Sequence, residues 1–306
     1  MLIRRFSGIA CFFILITVSV LIAGCSNAVN DKGSPEYISS IKQWRTQRIE
    51  GLKKENGWLN LAGLFWLKQG ENTFGTNPGN DIVFPKGKAP GTIGMFILKD
   101  STVTFKVAPG VNVTSGGKKV KEMQLMDDMS GNPTVLDLGF LRWFVIKRGD
   151  KYGIRLRNLD ADLVKEFNGT EVYPIDEDWK FNATFVKYDP PKIISIPTIV
   201  GTVEEDTCPG ALLFDKGGKS YSLDAIQEGD QFFIIFADLT NGEETYGAGR
   251  FLYTAQPDSN GRVVLDFNKA YNPPCAFTPY ATCPLPPKQN YLNMKVTAGE
   301  KKYGHH

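Results

Sequence analysis

Apolar and polar positions repeat at helical spacing over one clear stretch of this chain, and alternate in short runs over most of the rest. In 34–56, Tyr37, Ile41, Trp44 and Leu52 fall at helical spacing, Ser34 can cap the first turn, and Pro35 suits the first helical position. This predicts one helix, with Arg45, Arg48, Lys53 and Lys54 on its other faces, that docks by its apolar side. From Trp58 onward the pattern changes to short β-type runs with Gly, Asn and Pro between them, at 63–67, 81–84, 92–98, 102–105, 135–138, 143–146 and 153–156. No βαβ rhythm appears, so these runs predict an all-β sandwich or barrel.

A second β-rich region begins near Phe167. Residues 179–186 alternate, 192–203 are rich in β-branched side chains, and 211–214 lead into the turn residues Asp215-Lys-Gly-Gly218. The run QFFIIFA at 231–237 is apolar on both faces and reads as a central strand. Two more strands are expected at 250–253 and 261–267. The Pro-rich segment 271–287 can be neither helix nor central strand. The expected fold is mostly β, with a helix and a β-sandwich over 36–160 and a second β domain over 161–306.

The N-terminus has a different pattern. Arg4 and Arg5 precede an almost uncharged apolar run at 9–22, and the small residues Ala23 and Gly24 sit directly before Cys25. A positive flank, a short apolar stretch and small residues at the exit describe a cleaved export signal over 1–24. The run is also shorter than the roughly 20 residues a membrane helix needs. Ile22-Ala23-Gly24-Cys25 resembles the lipobox of bacterial lipoproteins. That resemblance implies diacylation of the Cys25 thiol, cleavage before it, and a membrane-anchored protein of the cell envelope. Ser26, rather than Asp, follows the cysteine, which under the sorting rule of enteric bacteria favours the outer membrane over the inner one. Residues 25–35 then read as a short polar tether.

Charge removes some function classes. Lys and Arg number 35 and Asp and Glu 33, and losing Arg4 and Arg5 with the signal balances the two signs. Nothing basic enough for nucleic acid remains. Twenty Phe leave ample material for a core.

The C-terminal third carries longer motifs. They are Ile235-Phe-Ala-Asp-Leu-Thr240, Thr245-Tyr-Gly-Ala-Gly-Arg-Phe-Leu252, the run from Leu265-Asp-Phe-Asn268 through Tyr271-Asn-Pro-Pro-Cys275 to Thr282-Cys-Pro-Leu-Pro-Pro287, and Ala298-Gly-Glu300. Together with 57–67 (GWLNLAGLFWL) they resemble the bacterial and archaeal domain-of-unknown-function family numbered 1684, a family that implies no activity. Separately, 70–85 (GENTFGTNPGNDIVFP) resembles the start of a forkhead-associated sandwich. Gly75 is followed by Thr76 rather than Arg, and no Ser-x-x-His segment comes after, so that resemblance implies a similar sandwich without phosphothreonine binding.

Candidate chemistry is sparse. Cys208, Cys275 and Cys283 remain beside Cys25; in an oxidising compartment a Cys275–Cys283 disulfide with Cys208 left over is one reading, and a Cys275 thiolate nucleophile is another. The only His residues, His305 and His306, stand at the terminus, which leaves Cys275 without the usual base and argues against a zinc site or a Ser-His-Asp triad. No Walker loop is present, and no cofactor is expected. What remains is a polar set: Asp238, Thr240, Arg250, Asp266, Asn268, Tyr271, Asn272 and Glu300. These residues could line a pocket for a small polar ligand or an envelope protein partner. Asp238 or Asp266 could alternatively serve as the general base of a cofactor-independent hydrolase, or the set could be an internal network that ties the Pro-rich loop to the sheet.

Overall fold

The computed structural model describes residues 30–304. The expected signal and lipidation site at 1–25, and His305 and His306, lie outside the described residues. No helix among the described residues is long and apolar enough to cross a membrane.

The predicted helix forms as α1 (Pro35–Lys53), with the Ser34 hydroxyl accepting from the Tyr37 amide at 3.2 Å and Tyr37, Ile41 and Leu52 buried. The last residues of the expected tether are tied to the fold. Asp31 accepts from the Ile175 amide at 2.9 Å, and Lys32 bridges to Asp176.

Two lobes follow. In the first, a five-stranded sheet packs on a six-stranded one. The five-stranded sheet comprises β2 (Gly70–Gly75), β3 (Ile82–Val83), β4 (Gly94–Lys99), β5 (Thr102–Val107) and β8 (Glu122–Leu125). The six-stranded sheet comprises β1 (Leu61–Trp66), the short β6 (Thr114–Ser115) and β7 (Lys118–Lys119), β9 (Leu136–Leu138), β10 (Leu141–Arg148) and β11 (Lys151–Asn158). Between them Trp143 is fully buried and meets the rings of Phe74, Phe84 and Phe105 edge-on. Edge-to-face geometry brings the positive ring edge to the negative ring face and favours this arrangement beyond simple burial.

In β11 the alternation sends Ile154 and Leu156 into this core and Arg155 and Arg157 to the opposite face. There Arg155 donates to Thr282 of the second lobe and Arg157 to the Gly57 carbonyl and Asn60, and both arginines are buried.

The second lobe is a near-barrel of six antiparallel strands. Their order is β16 (Arg250–Ala255), β15 (Gln231–Asp238), β14 (Lys219–Glu228), β13 (Val203–Lys216), β12 (Lys180–Pro197) and β17 (Arg262–Asp266). The Thr254 hydroxyl reaches the Val264 carbonyl at 3.0 Å, linking the two end strands. The interior is filled by side chains, among them Phe214, Phe232, Phe236 and Phe267.

β15 is the expected central strand. Phe232, Ile234 and Phe236 face the barrel interior, whereas Phe233 and Ile235 face a second apolar seam with Leu61, Phe251 and Cys283. Burial on both faces explains its unbroken apolar run. The expected run at 192–203 is instead the end of β12, a turn, and the first residue of β13. The Pro-rich segment has no strand of its own. It is tied to the second lobe by bridges from Tyr271 to Phe251 and from Pro284 to Thr198.

Candidate functional site

The polar residues singled out in the sequence form three buried knots. In the first, Arg250 and Asp238 have no solvent-exposed side-chain surface and pair at 2.9 Å. Its Nη atoms also donate to the carbonyls of Val296 (2.9 Å), Ala298 (2.6 Å) and Glu300 (3.2 Å), while its Nε has no partner. The other Asp238 oxygen accepts from the Thr240 amide and hydroxyl and from the Val296 amide. A planar guanidinium is suited to such a multi-carbonyl clamp because its donors are fixed in one plane. The clamped segment includes Gly299 at φ +80°, where a Cβ would collide with the Ala270 carbonyl.

The second knot docks α1. Asp266 accepts from the Tyr37 hydroxyl at 2.9 Å and from the Asn268 amide at 3.0 Å. Asn268 Nδ2 donates to the Tyr37 oxygen and to the Asp176 carbonyl. Burial, then the Asp266 charge, pushes the Tyr37 phenol far above its ordinary range.

The third knot joins α1 to the loop. Glu300 accepts from the Asn272 amide at 2.7 Å and meets Arg48 at 3.4 Å, while the Arg48 guanidinium lies 4.3 Å over the Tyr271 ring. Burial raises the Glu300 carboxyl, against the opposing pull of Arg48.

None of the polar residues in these knots lines the cleft of about 660 Å³, which lies between the β10–β11 hairpin of the first lobe and the β12–β13 end of the second. Its wall includes Trp58, Arg148, Arg155, Glu204, Thr282 and Cys283. Arg155 is only 3% exposed. Its Nη2 donates to the Thr282 hydroxyl at 3.2 Å, and its Nε has no partner. Arg148 donates to the same hydroxyl but is satisfied by Asp128 at 2.8 Å and Glu204 at 3.5 Å. Burial, then the like charge of Arg148, lowers Arg155 to about 10. Trp58 stands 5.9 Å from the Arg155 guanidinium.

Beside Thr282 the two cysteines of the loop face each other as free thiols. The Cys275 amide donates to the Cys283 sulfur at 3.1 Å, and the Cys283 amide to the Cys275 sulfur at 3.4 Å. The Cys283 thiol, the amides and the Arg155 charge together hold Cys275 below the usual thiol range despite its burial, whereas burial pushes Cys283 well up. Cys208 is buried in the same apolar seam, its Sγ donating to the Gly210 carbonyl.

Of the sequence candidates, then, only Cys283 lines the cleft, and Cys275 adjoins it. Arg148, Arg155, Trp58 and Thr282 were not singled out. The alternation in β11 marks Arg155 as outward-facing, and only the second lobe turns that face into an interior.

The fold and cleft define a class: a two-lobed β protein whose functional candidates gather at the seam rather than inside the barrel. Residues 165–301, in the second lobe, match the family described as Protein of unknown function (DUF1684). An uncharacterized protein of Haloarcula marismortui, solved by NMR, is 30% identical over 45% of this chain and 78% of its own, with a TM-score of 0.38. The FHA domain of FhaA, crystallised with the intracellular domain of Rv3910, is 16% identical over 31% of this chain and 97% of its own, with a TM-score of 0.22. A comparison with curated proteins yields no match.

Proposed function

We propose that this chain is an exported envelope lipoprotein, anchored through Cys25, that holds a small anionic ligand in the cleft between its lobes. The signal-like pattern of 1–25 supports the first half. The observation that carries the second half is Arg155. A cation that is 97% buried, with a free Nε donor and no carboxylate bonded to it, is costly unless something anionic completes it. The cleft volume falls within the roughly 300–1,000 Å³ of small-molecule sites. Trp58 offers an apolar face beside the charge, so a carboxylate or phosphate on a partly apolar body fits best.

No observation favours Asp238 or Asp266 as a general base. Asp238 has both oxygens engaged, Asp266 is hydrogen-bonded to α1 and its own turn, and neither lines the cleft.

Thermal-shift titration with inorganic phosphate and with a series of mono- and dicarboxylates provides the test. At least one member should raise the unfolding temperature of the parent protein in a concentration-dependent way and leave Arg155→Met unmoved. Equal shifts in both proteins, or none in the parent, would sink the anion reading.

A further inference from the structure

The loop cysteines carry an inference that does not depend on the anion reading. We infer that Cys275 and Cys283 form a redox-active dithiol that exchanges with low-molecular-weight disulfides, with Cys275 as the attacking sulfur and Cys283 as the resolving one.

The pairing is geometric. Each sulfur accepts the other residue's backbone N–H across a loop that closes after eight residues, so both side chains are held face to face. Prolines flank both positions, at 273, 274 and 284, and the Pro284 bridge to Thr198 fixes one end of the loop to β12 and its turn. The two sulfurs differ in access. Cys275 is half-buried, whereas Cys283 is 5% exposed.

Their environments differ in the same sense. The Cys283 amide donates to the Cys275 sulfur at 3.4 Å, and the adjoining Cys283 thiol and the nearby Arg155 further favour a thiolate there. A depressed attacking thiol beside a raised partner is what stepwise exchange requires, because the thiolate is the nucleophile and the partner keeps its proton until it is needed. No histidine base is called for, since the charge around Cys275 does the work a base would do.

The reaction balances with a disulfide RSSR as co-reactant. The Cys275 thiolate attacks one sulfur, forming a Cys275–SR bond and expelling RS⁻. Cys283 then loses its proton and attacks the Cys275 sulfur, forming the Cys275–Cys283 bond and expelling the second RS⁻. Both thiolates take up the two protons the protein has released, so the dithiol is oxidised and RSSR is reduced to two RSH.

Oxidised glutathione is the probe. Full-length protein is incubated with glutathione and its disulfide at graded ratios, quenched with an alkylating reagent, and mapped by peptide mass spectrometry. Cys275 and Cys283 should pass together from alkylated to disulfide-linked across those ratios, while buried Cys208 stays reduced. Cys283→Ser should accumulate a mixed disulfide with glutathione at Cys275, and Cys275→Ser should accumulate at least tenfold less at Cys283. A purely structural disulfide would stay closed at every ratio, and an inert pair would stay reduced at every ratio. Either result overturns the inference, as does a reversal of the two serine variants. Circular dichroism of each variant shows whether it is folded. Should both serine variants unfold, the parent titration alone decides.

Discussion

Arg250 and Asp238 meet at 2.9 Å with no solvent on either side chain, and the same guanidinium holds three carbonyls of the segment 296–300. A pair so placed joins the C-terminal segment to the barrel rather than receiving a ligand. Arg250→Met strands the Asp238 carboxylate in the interior and should cost about 3–5 kcal/mol of stability. Chemical denaturation measures this directly. A variant with parent-like stability would show that the pair is not structural and would return it to the list of binding groups.

Tyr37→Phe tests the docking of α1. The substitution keeps the ring but removes the hydroxyl that donates to Asp266 and accepts from Asn268. Leaving those buried partners unsatisfied should cost about 1–3 kcal/mol. Amide hydrogen exchange should quicken along Pro35–Lys53 more than in the first-lobe sheets. Uniform exchange rates in the variant would mean that the helix is held by packing alone.

Glu300 sets a pH dependence of known sign. Burial raises its folded carboxyl above the unfolded value, so its contribution to stability is complete below the unfolded pKa and declines as pH rises through the folded one. Glu300→Gln cannot ionise. Between about pH 4 and pH 7 the unfolding temperature of the variant should therefore gain on that of the parent. A difference that is flat or shrinks over this range would contradict the assignment.

Arg155→Met separates ligand binding from stability. Without ligand, the buried cation with its orphan Nε burdens the fold, so the apolar variant should be more stable by about 1–3 kcal/mol. Loss of stability instead would mean that Arg155 earns its place through the Thr282 contact and not through a ligand.

The proposed anchor has its own readout. Cells supplied with labelled palmitate should incorporate it into the parent chain and not into Cys25→Ser, and the variant should leave the membrane fraction. Labelling of both proteins would remove Cys25 from that role.

The elements that could be read in advance are those whose pattern is set by one local environment. α1 shows its buried stripe through Tyr37, Ile41 and Leu52, and β15 shows its two buried faces through an unbroken apolar run. β14 carries polar residues at Lys219, Ser220, Ser222 and Asp224 among its apolar ones, and it emerges only through pairing with β13 and β15. The site is legible in part for a related reason. Cys275 and Cys283 stand close together in sequence, so their pairing could be foreseen. Arg155, Trp58 and Thr282 are brought together only when the two lobes meet, and an arginine on the outward face of a strand reads as solvated until its covering is known. The polar residues beside the signature prolines announce a network, but composition alone does not distinguish a pocket from a clamp. Their burial is what a clamp requires.

The early attachment of the chain to its fold has a mechanical consequence. Because Asp31 is already bonded to the amide of Ile175, only five residues, or six Cα-to-Cα steps, separate it from Cys25. Fully extended, they span at most about 20–22 Å. On the lipoprotein reading this is a short leash. The body would be confined to a thin layer over the lipid, sampling few orientations and meeting other residents of that leaflet at a raised effective concentration. Lengthening the leash with a Gly-Ser insert between Asn27 and Ala28 should weaken any encounter that depends on that confinement and leave the cleft itself untouched.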